Sequence, residues 1–148
     1  MATDQEKLSY EVYIAVPPNK VWEALTDGSI TKHYFYGARV ESKFVKGTPI
    51  AYLGDGDFRL LEGKILEAEP GKRLVTTFRA LWDDSVTKDA PSRVSWEISP
   101  AGEATKLTIT HDGFKNARAS FEQSAGGWPV ILSSLKTYLE TGKALKIN

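Results

Sequence analysis

Apolar and polar residues alternate along Leu8–Val16, the first patterned stretch of the chain. A period of two is typical of a β-strand that buries one face. The apolar side of this strand would carry Tyr10, Val12, Ile14 and Val16. Pro17 and Pro18 end the strand and suit the first turn of a helix, where a missing backbone donor is harmless. The pattern therefore predicts a strand, a short helix through Leu25 and a second short helix from Ser29 to Phe35.

Short alternating runs, separated by glycine, proline and aspartate, continue from Gly37 to His111. Tight turns such as Pro70-Gly71-Lys72 join consecutive runs, so most neighbouring strands are expected to be antiparallel. The longest connection is the loop from Trp82 to Pro91. The predicted strands are Ala38–Ser42, Thr48–Leu53, Phe58–Glu69, Arg73–Leu81, Ser92–Ser99 and Thr105–His111.

The final patterned stretch, Arg118–Lys143, has apolar residues at steps of three and four, which predicts one long amphipathic helix capped by Gly142. Its apolar stripe would be Phe121, Ala125, Trp128, Leu132, Leu135 and Leu139, and its solvated face Ser133, Ser134, Lys136, Thr137 and Glu140. A helix of this length must lie on a sheet that curves around it. The predicted fold class is therefore α+β: a curved, seven-stranded antiparallel sheet around a long C-terminal helix, with two short helices after the first strand.

Gly126, Gly127 and Pro129 interrupt the predicted long helix with residues that cost helix stability. Proline inside a helix predicts a bend at this point. Two explanations of the glycine pair stay open. Either the glycines allow the helix to pack closely against a strand, or the bend shapes a space beneath the helix.

Composition narrows the class of protein. A chain of 148 residues fits one domain, taken as residues 1–148, with a substantial core. Nineteen basic and nineteen acidic residues cancel without a basic stripe, which argues against a nucleic-acid partner. No cysteine is present, which excludes thiol chemistry and fits a cytoplasmic location. No signal peptide and no membrane-inserted segment are predicted.

Three blocks of the sequence carry a family resemblance. They are PPNKVWEALTDGSITKHYFYG near the start, SRVSWEISPAGEATKLTITHDGF in the later strands and GGWPVILSSLKTYLETG in the long helix. Because these three blocks occur together and in this order, the chain resembles the AHSA1-like branch (activator of Hsp90 ATPase homologue 1-like) of the START/Bet v 1-like (SRPBCC) helix-grip superfamily. The resemblance implies the helix-grip fold, a cavity between helix and sheet, and an Hsp90-type chaperone as a candidate partner.

Aromatic residues are the best candidates for the wall of such a cavity, because they are large and stiff. They make equally good core filler, so an open cavity and a filled core both remain open. The mouth is expected where the Trp82–Pro91 loop, the Asp112–Ala117 turn and the Tyr34–Gly37 segment meet the helix. The predicted cavity-lining residues are Phe35, Phe78, Trp82, Trp96, His111, Phe114, Phe121, Trp128 and Leu132.

Few residue types here suggest catalysis. His111 on the inward face of a strand is a candidate general base, and Glu62 a candidate carboxylate. His111 and Asp112 are adjacent in a strand and face opposite sides, so they form no dyad. Two histidines without a local acidic cluster argue against a metal site, and no nucleotide-binding glycine motif occurs. Arginines 79, 93 and 118 are candidates to meet an acidic ligand at the rim.

The leading hypothesis is non-catalytic binding of a small, mostly hydrophobic ligand, with no cofactor, by a monomer or homodimer. Two alternatives stay open: a module that binds a chaperone or another protein in a stress response, and an enzyme similar to the cyclases and hydratases of the superfamily.

Overall fold

The structure, a computed structural model, describes residues 6–146. The strands are β1 (Leu8–Ile14), β2 (Arg39–Ser42), β3 (Pro49–Leu53), β4 (Arg59–Glu69), β5 (Arg73–Ala80), β6 (Ser92–Ala101) and β7 (Ala104–Asp112). The α-helices are α1 (Pro18–Thr26), α2 (Gly28–Thr31), α3 (Asp84–Thr87) and α4 (Arg118–Thr141), and a 3-10 turn spans Asp55–Asp57.

The seven strands form one antiparallel sheet in the order β1-β7-β6-β5-β4-β3-β2. Each strand from β2 to β6 pairs with the next strand along the chain, through a short connection in most cases and through the longer 82–91 loop between β5 and β6. The exception is β1, which pairs with β7 from Leu8 opposite His111 to Ile14 opposite Thr105. With α4 packed along β1, this architecture confirms the predicted α+β helix-grip fold.

Several element boundaries differ from the predictions, including those of the first strand, the second helix and the 82–91 loop. The first strand ends at Ile14, not Val16, because the chain turns there with a bond from the N–H of Val16 to the carbonyl of Ile14, 2.8 Å. The second helix is only Gly28–Thr31 and not Ser29–Phe35. The 82–91 loop contains the unpredicted helix α3, which begins where the carboxylate of Asp83 accepts a hydrogen bond from the N–H of Ser85.

The buried face of α4 differs from the predicted stripe. Between Arg118 and Ala125 the buried positions are Ser120 and Ser124, while Phe121 and Ala125 are only half-buried. Ser134, assigned to the solvated face, is also buried, because both β1 and α1 pack against the helix. The remaining buried residues are Trp128, Ile131, Leu132 and Leu135. Hydrophobicity thus located the helix correctly but not the orientation of its first half.

Pro129 lies within α4, which continues as one helix from Arg118 to Thr141 and ends at Gly142 with a φ of 76°. A proline cannot donate the hydrogen bond that the carbonyl four residues earlier would normally accept. That carbonyl belongs to Ala125, and it accepts instead from the hydroxyl of Tyr10 on β1, 3.3 Å. The proline therefore links the helix to the first strand at the cost of one helical bond.

At each edge of the sheet, helix side chains form hydrogen bonds with backbone groups of the edge segment. At the β1 edge, Lys136 Nζ donates to the carbonyl of Tyr13, and Glu140 Oε2 accepts from the N–H of Ala15, each at 2.8 Å. At the β2 edge, Thr31 Oγ1 accepts from the N–H of Val40 and donates to the carbonyl of Ala38, each at 2.9 Å. Edge groups paired in this way are not free to pair with a strand of another molecule.

Strand β4 contains two register shifts and one tightly enclosed glycine. The shifts fall where β3 passes from Tyr52 to Leu53 and where β4 passes from Ile65 to Glu67, and such bulges bend a sheet. At Gly63, an added Cβ would overlap the backbone carbonyl oxygen of Thr77 on β5.

Gly63→Ala is therefore expected to lower the free energy of unfolding by about 1–3 kcal/mol, because backbone must move to admit the methyl group. Urea denaturation would measure the change. Gly54→Ala is the control, since its Cβ would meet only the carbonyl of Phe58 at an ordinary 3.8 Å. Equal stability of the two variants would contradict the overlap at Gly63.

Candidate functional site

A cavity of about 350 Å³ lies beneath the first half of α4. The sheet supplies its opposite wall from β4 and β5, and the segment after α2 closes one side. Its lining is mostly aromatic and aliphatic, which is typical of sites for small organic ligands. The lining residues are Phe35, Tyr36, Leu60, Leu61, Phe78, Trp82, Gln123, Ser124, Gly127, Trp128 and Ile131.

The indole of Trp128 forms the inner end of this cavity. It is 3% exposed and packs edge-on against Phe35, at 6.0 Å between ring centroids, and against Trp96, at 5.5 Å. The ring of Phe78 lies 5.9 Å away. Edge-to-face contacts of this kind contribute stability beyond that expected from the apolar area they bury. The inner wall is therefore a rigid cluster of rings.

A polar link holds the outer wall together. Trp82 donates its indole N–H to Gln123 Oε1 at 2.5 Å, and Gln123 Nε2 donates to Ser85 Oγ at 2.9 Å. In addition, Asp89 Oδ2 accepts from the N–H of Ser120 at 2.7 Å, which satisfies a free donor in the first turn of α4. These bonds tie the 82–91 loop to the helix on the side where the cavity meets solvent.

Tyr36 and Gly127 face each other at the opening. Tyr36 is 60% exposed and has a φ of 50°, a conformation that non-glycine residues seldom adopt. An added Cβ at Gly127 would meet only the hydroxyl of Tyr36, at 3.7 Å, and one at Gly126 would meet nothing within 4 Å. The glycines therefore do not serve close packing on a strand, and the missing side chain of Gly127 is part of the cavity.

Leu60 and Leu61 both line the cavity although they are neighbours in β4. Consecutive residues of a regular strand face opposite sides of the sheet. The register shift beside Leu53, where Tyr52 pairs with Leu61 but Leu53 pairs with Arg59, leaves Leu60 without a partner on β3. The bulge thus turns an additional leucine towards the ligand space.

His111 lies behind this cavity in a closed chain of hydrogen bonds. Trp128 Nε1 donates to His111 Nδ1 at 3.0 Å, which leaves the other ring nitrogen, Nε2, to donate to Ser92 Oγ at 2.6 Å. The hydroxyl of Ser92 in turn donates to the carbonyl of Phe78 at 3.3 Å. Burial lowers the pKa of His111 to about 3 despite the opposing charge of Asp112, so the ring is neutral at physiological pH.

The nine sequence-predicted lining residues divide into two groups. Four lie in the cavity wall: Phe35, Phe78, Trp82 and Trp128. Of the others, Trp96, His111 and Phe114 are buried in the layer behind Trp128, with the rings of His111 and Phe114 4.2 Å apart. Phe121 packs edge-on against Phe114 at 5.2 Å, and Leu132 lies in a shallow groove beside β1. Contact of any of the nine with a ligand remains a prediction.

The lining residues that sequence reasoning missed are Tyr36, Leu60, Leu61, Gln123, Ser124, Gly127 and Ile131. Most come from α4, where the inward positions are found by counting back four and forward three from Trp128. That spacing gives Ser124 and Ile131, and it was available in the sequence. The polar character of Ser124 concealed it from a search for apolar stripes.

The charged candidates lie outside the cavity. Glu62 is within 3.6 Å of both Arg59 and Arg79. Arg93 forms a bidentate pair with Asp112 at 2.8 and 2.9 Å. Arg118 reaches Glu6 at 3.2 Å. Each arginine expected at the rim is therefore already paired with a carboxylate.

Residues 6–146 contain neither a metal-binding cluster nor a membrane-spanning helix. No group of three or more histidine, cysteine, aspartate or glutamate side chains in that range is placed to hold a metal ion. Across the same residues, no helix combines the length and the apolar character that crossing a bilayer requires.

Comparison with known proteins places the chain among relatives of the same fold. Residues 15–140 match the family described as "Activator of Hsp90 ATPase homolog 1-like protein". The crystal structure of protein MLL2253 from Mesorhizobium loti is 26% identical, covering 90% of this chain and 96% of that one, with a TM-score of 0.76. No curated protein is significantly similar in sequence.

Two further structures are similar. DynU16, a protein of the dynemicin biosynthetic locus, is 26% identical over 95% of this chain and 49% of its own, with a TM-score of 0.75. The Aha1 dimer from Colwellia psychrerythraea is 21% identical over 95% of this chain and 100% of its own, with a TM-score of 0.76. At that identity the likeness shows the fold alone.

Proposed function

The chain belongs to the activator of Hsp90 ATPase homologue 1-like family, and we propose that it binds a small, mostly hydrophobic ligand, without catalysis, in the cavity beneath α4. The observation that supports this most is the open space at Gly127. A side chain in that position would extend into the cavity, yet no residue from 6 to 146 fills it.

The character of the wall supports the same proposal. A ligand in this cavity would exchange water for the rings of Phe35, Phe78 and Trp128, which gains free energy in proportion to the apolar area removed from water. The rings are held by one another and need no rearrangement on binding, so little of that gain is lost to ordering. A volume of about 350 Å³ is at the lower end of the range for small-molecule sites.

Binding is testable with N-phenyl-1-naphthylamine, an uncharged dye that fluoresces in apolar surroundings. We expect the wild-type protein to bind it and Gly127→Leu to bind it at least about tenfold more weakly, because the leucine occupies the space of the ligand. Gly126→Leu is the matched control, since position 126 is exposed and an added Cβ there meets nothing within 4 Å. It should bind the dye like the wild type.

Two results would contradict the proposal: no fluorescence increase with wild-type protein, or equal affinity of the Gly127→Leu and wild-type proteins. Native mass spectrometry of gently purified protein complements the dye. A bound mass present on wild type and Gly126→Leu but missing from Gly127→Leu would identify the compound class and assign it to this cavity.

An enzymatic function through His111 or Glu62 is less well supported than binding. Both nitrogens of His111 are engaged within the core, and Glu62 pairs with arginines on the outer face. An Hsp90-type partner, a homodimer and a cytoplasmic location remain predictions from the family and the composition.

A further inference from the structure

Ser124 is one of the residues that line the cavity, and its hydroxyl is buried and unpaired among the described residues. Its side chain is 5% exposed, and among the described residues its Oγ has no hydrogen-bond partner. By contrast, the buried hydroxyl of Ser92, in the layer behind the cavity, is engaged with His111 and with the carbonyl of Phe78. A buried hydroxyl without a partner is unfavourable, and such groups are usually satisfied by another protein group or by ordered water. At the wall of a cavity, a polar atom of a ligand can take the same role.

The cavity offers nothing to a charged ligand. Among residues 6–146, no acidic or basic side chain lines it, and partial burial raises the pKa of the Tyr36 phenol. The three arginines near this end of the molecule each contact a carboxylate. An ionised group entering the cavity would lose its hydration without gaining a counter-charge.

The shape of the wall favours a flat ring system. Phe35, Phe78, Trp82 and Trp128 present rings from three sides, and aromatic pairs prefer stacked or edge-on contact. The volume corresponds to about a dozen water molecules at roughly 30 Å³ each. A ligand of two fused rings fits within it.

We propose that the ligand is an uncharged aromatic compound with one hydroxyl or carbonyl oxygen, which forms a hydrogen bond with Ser124 Oγ. This inference rests on the proposed function, since it names the class of molecule that the same cavity takes. Ser124 is thereby the residue that selects among hydrophobic ligands of similar size.

The test compares three probes: 2-naphthol, 2-methylnaphthalene and 2-naphthoate. The first two differ by a hydroxyl in place of a methyl group of similar size, and the third carries a charge at neutral pH. Dissociation constants would be measured from the indole N–H signals of Trp82 and Trp128 in ¹⁵N-labelled protein. We expect wild type to bind 2-naphthol about three- to tenfold more tightly than 2-methylnaphthalene, and 2-naphthoate most weakly.

Ser124→Ala should abolish the preference for 2-naphthol and leave the affinity for 2-methylnaphthalene unchanged or improved. Alanine is the best helix former, so this variant is expected to fold. Ser133→Ala, which alters an exposed serine of the same helix, should keep the wild-type preference.

Equal binding of the two neutral probes by wild-type protein, a preference that survives in Ser124→Ala, or tightest binding of 2-naphthoate would each overturn this inference while leaving the proposed function intact. Failure of wild type to bind either neutral probe, together with no response to N-phenyl-1-naphthylamine, would overturn the proposed function and this inference with it.

Discussion

Replacing Trp128 with alanine is expected to lower the free energy of unfolding by about 3–5 kcal/mol, as for other large core aromatics. The indole is 3% exposed and contacts the rings of Phe35, Phe78 and Trp96. Its loss would join the existing cavity to a new one and leave His111 Nδ1 without its donor. Urea denaturation monitored by circular dichroism would measure the change.

Trp128→Phe is the informative control for this prediction. Phenylalanine retains a ring in the cluster but cannot donate a hydrogen bond to His111, so we expect a loss of about 1–3 kcal/mol, smaller than for alanine. A loss below about 1 kcal/mol in Trp128→Ala, accompanied by weaker dye binding, would contradict a core role. It would make the residue a wall that contacts ligand more than protein.

Acidification is expected to destabilise the protein through His111. Its pKa is about 3 in the folded chain, below its ordinary value of 6.5, so the unfolded chain binds a proton that the folded chain does not. Stability from this group is therefore complete above pH 6.5 and is lost progressively as the pH falls towards 3. At about 1.4 kcal/mol per pH unit, the loss is about 2 kcal/mol by pH 5.

Denaturant titrations at pH 7, 6 and 5 would measure this slope. His111→Gln removes the titrating ring and should flatten the curve in this window, although it will also be less stable at pH 7. His33→Gln, a change at the exposed histidine, is expected to retain the loss. The pKa of Asp112 is lowered, chiefly by its hydrogen bond with Arg93. Its protonation therefore affects stability only below about pH 4, outside the range from pH 7 to pH 5. An unchanged stability of wild type from pH 7 to pH 5 would contradict the prediction.

The fold was largely predictable because alternation specifies strands well. Each predicted strand exists, and His111, predicted on the inward face of its strand, is buried. Antiparallel pairing of consecutive strands was expected from the short turns between most of them, whereas the pairing of β1 with β7 joins residues about a hundred positions apart and was not predicted.

The candidate site was less predictable, because it depends on features that hydrophobicity does not encode. Leu60 joins the wall through a bulge, and Tyr36 through a positive φ. Ser124 lies on the side of α4 that lines the cavity, whereas Phe121 packs against Phe114 and is not part of the cavity wall. Because a cavity is space that apolar side chains do not fill, the glycine and serine positions of α4 indicate where it lies. An apolar stripe indicates the packed core next to it.

The pairing of β1 with β7 has a consequence for the synthesis of the protein. The first strand must wait for its partner, because Leu8 pairs with His111. At about 5–20 residues per second, the ribosome needs about 5–20 s to add the intervening hundred residues. During that interval the hairpins from β2 to β7 can form behind one another, while β1 emerges first and remains unpaired. The nascent chain can therefore build its sheet from the β2 edge across to β7, and β1 is the last strand to acquire its native neighbour.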